Sequence, residues 1–244
     1  MKQLHTLLGI FFIALLAFPL AADEEKYVPE PGSDELKKGA RKKVEVDPSL
    51  PNVLIIGDSI SNGYTPPARK ALEGIANVLH NPGNAQGTTY GLAKIDEWLE
   101  AMEWEVIHFN FGLHDLKRVI KAGTSQNSND PNDPYQADRA TYEANLKKIV
   151  TRLKETDAYL IFATTTPFPA GVKPFRSPKD AGNYNEVAVA IMEANGIEIN
   201  DLHGLVLPDL KTLQKPVNVH FLPEGSELMG NQVAERIRVA LETK

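Results

Sequence analysis

The chain has no cysteine among its 244 residues. A disulfide framework and a lipid-modified cysteine anchor are therefore excluded. A basic excess is also missing: 26 Lys and Arg face 32 Asp and Glu, for a formal net charge of −6. A moderately acidic surface argues against a nucleic-acid partner. The small basic cluster of Lys37-Lys38 and Arg41-Lys42-Lys43 is flanked by acids and reads as a solvated segment. No internal repeat is present. The apolar stretch Leu7 to Leu20 is short for a membrane span and lacks a basic stop-transfer flank.

That stretch does have Lys2 before it and Ala21-Ala22 after it, with Asp23-Glu24-Glu25 beyond. This is the layout of a secretory signal peptide over residues 1–22, with an uncleaved anchor as the alternative. Cleavage would remove Lys2 and no acid, taking the formal charge from −6 to −7. Export without disulfides points to a bacterial periplasmic or secreted protein with no stable membrane insertion after cleavage.

The remainder suits one globular domain. The composition, 42% hydrophobic and 24% charged, is ordinary for such a chain. Residues 23–50 are polar, carry Pro29, Pro31 and Pro48, and show no clear periodicity, as in a tether or a segment wrapped over a domain. From Asn52 the patterns alternate. Val53-Leu54-Ile55-Ile56 is a continuous apolar run, as in a strand covered on both faces. Pro66-Pro67 predicts the opening of a short helix to about Leu72. Ala76–Leu79 reads as a strand, Thr88–Leu99 as a helix and Val106–Phe111 as a third strand. Lys117–Gln136 is too long and polar for a plain connection, and is either functional or mobile. Tyr142, Leu146, Ile149, Val150 and Leu153 mark one face of a helix, and Ala158–Thr166 a fourth strand. Residues 167–179 form a second long loop. Ala181–Asn195 is a helix ending at Gly196, and Ile197–Leu202 a fifth strand. Met229, Val233, Ile237 and Leu241 stripe a final helix.

This alternation predicts an α/β fold, with a parallel sheet between helices and ligands beyond the carboxyl ends of its strands. Gly57-Asp58-Ser59, Gly112-Leu113-His114-Asp115 and Thr164-Thr165-Thr166 each follow a strand and should converge there. Ser59 is either a helix cap or a nucleophile. It is not the G-x-S-x-G elbow, because Gly57-Asp58-Ser59-Ile60-Ser61 lacks the second glycine. A nucleophilic serine needs a base. Of the six histidines, His5 lies in the leader, while His80 and His108 lie at or in strands as structural candidates. His203 follows the fifth strand and is held in reserve. His220 projects from the loop leading into the last helix.

With these residues in place, "IIGDSISNGY", "NFGLHD" and "VHFLPEGS" resemble the first, third and fifth sequence blocks of SGNH (GDSL-type) hydrolases, in the right order. The likeness runs from about Asn52 to Leu241 and is closest to a bacterial secreted branch, some of whose members deacylate carbohydrates. It implies a three-layer α/β/α sandwich around a five-stranded parallel sheet (flavodoxin-like), an esterase domain over residues 51–244, an acyl-enzyme and no cofactor. It also implies Ser59 as nucleophile and one oxyanion donor, and His220 as general base and acid. Asp58 and Asp115 flank Ser59 and His114 and read as helix-capping or loop-bracing residues rather than catalytic ones.

Three departures from the family pattern stand out. His114 replaces the usual oxyanion-hole Asn of the third block; its neutral ring can donate one N–H, with Asn110 as the alternative donor. The second block offers Gln86 or Gly87, with Gly87 preferred for its backbone freedom. Val217 stands where the family has the acid of its triad. A backbone carbonyl near Val217 or an acid from elsewhere would then orient His220, and spacing favours neither Asn218 nor Glu224.

The expectation is a secreted serine esterase acting on short acyl, chiefly O-acetyl, esters of carbohydrates. The polar loops favour it over a lipid esterase or thioesterase. A non-catalytic carbohydrate-binding scaffold is a further alternative. A metal-dependent phosphoesterase is disfavoured by the absence of an upstream Asp-x-His and a downstream Gly-His-x-His.

Overall fold

The computed structural model describes residues 44–243. The leader expected over residues 1–22, and most of the polar segment at 23–50, lie outside them. Five strands form one parallel sheet: β1 Asn52–Ile56, β2 Asn77–His80, β3 Val106–Phe109, β4 Tyr159–Ala163 and β5 Glu198–Asn200. Their order is β2-β1-β3-β4-β5. Val53 pairs with Val78 on one side and Val106 on the other, so the apolar run of β1 is central and fully buried. Burial on both faces explains why it is continuous rather than alternating.

Among the described residues seven helices connect and cover the strands: α1 Ser59–Ala71, α2 Thr88–Leu99, α3 Arg139–Leu153, α4 Pro178–Asn195, α5 Leu202–Val206, α6 Leu210–Leu213 and α7 Pro223–Thr243. Helix α1 packs on α7, while α2 packs on α3 and α3 on α4, which completes the α/β/α sandwich. The five apolar residues expected on one face of α3 are all buried. Among the described residues no helix is long and apolar enough to cross a membrane.

One expectation is corrected. Pro66 and Pro67 do not open a helix; they lie inside α1, which begins at Ser59. Asp58 caps this earlier start, its Oδ1 accepting from Ile60 N–H at 2.8 Å. Tertiary packing overrides the local cost of the prolines: Tyr64 and Ala68 are buried in the core, and Gly230 of α7 lies against Pro67. The 117–136 stretch is tied down by backbone bonds, Arg118 N–H to Phe175 O and Ser128 N–H to Arg118 O, both at 2.9 Å. Its polarity reflects turns, not an absence of structure.

The strand order reverses between β1 and β3. In open sheets of this kind, the crevice at that reversal is where ligands bind. The segments following these two strands carry Asp58-Ser59 and Asn110 to Asp115.

Candidate active site

The start of α1 separates the two readings of Ser59. Asp58 is the cap, and Ser59 occupies the first helical position, so its hydroxyl is not used for capping. That hydroxyl stands 2.8 Å from His220 Nε2. The two residues are 161 positions apart and meet at the carboxyl edge of β1. His220 rides on a loop closed like a hairpin. Gln214 bridges Phe221, Lys215 N–H donates to His220 O at 2.9 Å, and Phe221 is buried ahead of α7. The buried Gln214 amide ties this loop to Pro167 O and Val219 O at 2.9 and 3.1 Å.

Behind the imidazole is Asn218. Its Oδ1 accepts from His220 N–H at 2.9 Å and lies 2.8 Å from His220 Nδ1. The backbone N–H can only donate, so the atom it meets is the amide oxygen. An amide oxygen can only accept, so Nδ1 carries the ring proton. Nε2 is then the acceptor for the Ser59 hydroxyl. The sequence pattern did not single out Asn218. The signal is a turn in which a side chain bonds the backbone two residues on, and it needs conformation to be seen. Val217, at φ 49, sets that turn and is 60% exposed, its side chain against Gly171.

Two helix starts face the same edge. The N–H groups of Ser59, at the first position of α1, and Gly87, the cap of α2, are donated to no described residue. Such groups form a ready anion site. The loop before α2 is held beside Ser59 by Ala85 N–H donating to Gly57 O at 3.0 Å. Gln86 is different: at φ 54 its N–H is donated to Asn84 Oδ1 at 2.7 Å. Gly87 needs its missing side chain, because a Cβ there would lie 2.9 Å from Asp115 Oδ1. Asn110 also has another engagement, donating to Ala163 O at 2.7 Å. His114 is half-buried and lies near the start of α1, its Nε2 4.0 Å from Asp58 Oδ2.

Beneath the edge lies a buried set of charges. Asp115 Oδ1 accepts from Thr88 N–H at 2.8 Å and from the Thr88 hydroxyl at 2.6 Å, bracing the start of α2. Burial pushes its carboxyl up to about 7 against the opposing effect of those bonds. Burial likewise raises Asp58 to about 6, opposed by the Ile60 N–H and the Arg176 charge. Arg176, unremarked in the sequence, donates from Nε to Leu113 O at 2.8 Å and so ties the Pro-rich loop to the His114 segment.

The other histidines are engaged elsewhere. Ser61 Oγ and His80 Nε2 are 2.7 Å apart, both residues buried. His108 is buried in β3, accepts from Asn200 Nδ2 at 3.1 Å, and is pushed down to about 3 by burial, so it is neutral. His203 Nδ1 turns to Thr165 O at 3.1 Å. His5 lies outside the described residues. Among the described residues no three His, Asp or Glu side chains group to hold a metal.

Residues 55–228 match a family model described as GDSL-like Lipase/Acylhydrolase. No curated protein matches the chain in sequence. Solved structures match it in fold. The lipase/acylhydrolase from Enterococcus faecalis is similar at TM-score 0.63 and 17% identity, over 77% of this chain and 95% of that one. The acetylxylan esterase Axe2 from Geobacillus stearothermophilus is similar at TM-score 0.61 and 17% identity, over 77% and 94%. A GDSL-like lipase from Bacteroides thetaiotaomicron is similar at TM-score 0.57 and 15% identity, over 78% and 88%. At these identities the likeness is one of fold.

Proposed function

Because the chain belongs to the GDSL-like lipase/acylhydrolase family, and so is an ester-bond hydrolase, we propose that it is a secreted or periplasmic serine esterase. Its substrates are short acyl esters, chiefly O-acetyl groups on carbohydrates. One observation carries the reading: the Ser59 hydroxyl 2.8 Å from an imidazole nitrogen that can only accept its proton.

In this reading His220 Nε2 takes the hydroxyl proton as Ser59 Oγ bonds to the ester carbonyl carbon. The carbonyl oxygen becomes an anion, held by the N–H groups of Ser59 and Gly87 with the His114 ring as third donor. The proton on Nε2 then passes to the leaving alcohol oxygen as the C–O bond breaks. Water, deprotonated by the same nitrogen, attacks the acyl carbon; that proton then passes to Ser59 Oγ as its bond to the acyl carbon breaks, releasing the carboxylic acid and restoring the serine. Asp58 and Asp115 brace the two helix starts.

The short-acyl preference draws on the loops 117–136 and 167–179, which are polar and hold few large apolar residues to line an acyl-chain tunnel. A small cavity beside Ser59 and His220 is bounded by Ile60, Gly63, Phe221 and Met229. The carbohydrate assignment draws on the polar loops and on an acetylxylan esterase among the fold neighbours. Acetate release from a panel of acetylated polysaccharides, compared with Ser59→Ala, tests the reading. Equal turnover by the two proteins overturns the esterase mechanism, and faster turnover of long-chain than acetyl esters overturns the short-acyl preference. Export follows from the Leu7–Ala22 leader pattern. It is tested by N-terminal sequencing of the mature protein, expected to start near Asp23.

A further inference from the structure

We infer that Asn218 is the positioning residue for His220, and that its amide oxygen does the orienting work that a neighbouring carboxylate would otherwise do. The inference rests on the reading of Ser59 and His220 as nucleophile and base. It goes beyond it by naming what aims the base.

Three observations converge. First, the oxygen is itself pinned. Asn218 Oδ1 accepts from the His220 N–H at 2.9 Å, so flipping the amide would set its NH2 group against that backbone donor. In triads, replacing the acid with an amide is damaging when the amide selects the wrong tautomer. Here the bond at 2.8 Å to Nδ1 selects the working one. Second, the turn that presents Asn218 is a strained one. Val217 holds φ 49, a region β-branched side chains rarely adopt. The adjoining Gly171 of the Pro-rich loop meets its side chain. Third, position 217 itself cannot supply an orienting acid. Its side chain points outward, 60% exposed, so a carboxylate grafted there would face solvent. The orienting function has moved one residue along the chain, from 217 to 218.

An amide orients the ring as an acid does but contributes no charge. A neutral partner leaves the imidazolium that forms during turnover less stabilised than a carboxylate would. Charged and titratable residues on the surrounding segments are Lys215 on the same loop, Glu224 and Glu227 in α7, Asp58 before α1, His114 beside it, and Lys173, Arg176 and Lys179 in the 167–179 loop. They are common to every variant below, so changes at 217 and 218 isolate the local effect.

The test measures kcat against pH on an acetyl ester, and the His220 ring titration by NMR, in the full chain and in Asn218→Ala, Asn218→Asp and Val217→Asp. Asn218→Ala is expected to lose at least tenfold in kcat with KM within twofold. Asn218→Asp is expected to stay active and to move both the acid limb of kcat and the His220 titration midpoint to higher pH by about one unit. Val217→Asp is expected to leave the midpoint within a few tenths of a unit. An Asn218→Asp protein with an unmoved midpoint, or a folded Asn218→Ala protein with wild-type kcat, overturns the positioning role. The NMR midpoint needs no turnover, so it judges Asn218 even if Ser59→Ala shows that the esterase reading has failed.

Discussion

Two serine–histidine pairs hang from the same helix, two residues apart in the chain. Ser59 Oγ lies 2.8 Å from His220 Nε2, and Ser61 Oγ lies 2.7 Å from His80 Nε2. By residue type and distance they are twins; their surroundings separate them. Ser61 and His80 are buried, with Ser61 Oγ also 2.7 Å from Asp58 O and His80 Nδ1 on Asn81 O at 2.8 Å. That pair stitches the end of β2 to the start of α1. Ser59 and His220 are half-buried at the ligand edge, beside two undonated N–H groups and backed by a side-chain amide. Proximity of a hydroxyl to an imidazole is thus a structural device as readily as a chemical one. Access, and an anion site alongside, make the difference.

The largest expected effect sharpens this contrast. Ser59→Ala should lower kcat on an acetyl ester by about 10³-fold or more, with Tm unchanged to within about two degrees. Ser61→Ala should do the reverse. It strips a partner from buried His80, at a cost of about 1–3 kcal/mol, or several degrees of Tm at about 2–4 °C per kcal/mol. Its kcat should stay within about tenfold of wild type. Paired kinetics and calorimetry check both; a Ser61→Ala protein as inactive as Ser59→Ala would erase the distinction.

Next in size is His114. If its ring donates to the oxyanion, His114→Ala should lose at least about tenfold in kcat and His114→Asn should keep most of it, since an amide also donates. An unaffected Ala variant would leave the site with backbone donors alone.

The smallest effect concerns the brace under α2. Burial raises Asp115 to about 7 from its ordinary 3.8. The folded state therefore binds more protons than the unfolded state between those values, and stability falls as pH rises through that window. Asp115→Asn keeps an oxygen for Thr88 and removes the charge. Its Tm should fall less than wild type between pH 4 and 8, and parallel curves in the two proteins would show that Asp115 does not carry the dependence.

Much of the fold was legible because buried strands and amphipathic helices write their periods directly into residue order. Helix α2 has the bounds that its spacing predicts, β1 covers its apolar run and adds Asn52, and β4 lies within the stretch expected of it. Helix α1 was misread because Pro66-Pro67 is a strong local start signal, while the packing that overrides it comes from Gly230, far along the chain. The meeting of Ser59 and His220 was anticipated only through family likeness; spacing alone cannot express a contact across the whole domain. Choosing between Gln86 and Gly87 needed the knowledge that Asn84 already holds the Gln86 N–H. Asn218 was invisible because its role depends on a backbone turn at Val217 that no side-chain pattern announces.

The seam between α1 and α7 has a consequence for assembly. A Cβ on Gly230 would lie 2.7 Å from Pro67 Cγ and 2.8 Å from Tyr64 O, so α1 and α7 lie in direct contact there. Each carries or adjoins one member of the reactive pair: Ser59 opens α1, and His220 lies three residues before Pro223, where α7 begins. The pair therefore closes only when the ends of the domain dock. His220 follows the last strand, which ends at Asn200, and so joins Ser59 from outside the sheet. On the proposed reading, reactivity at Ser59 therefore depends on α7 being docked against α1.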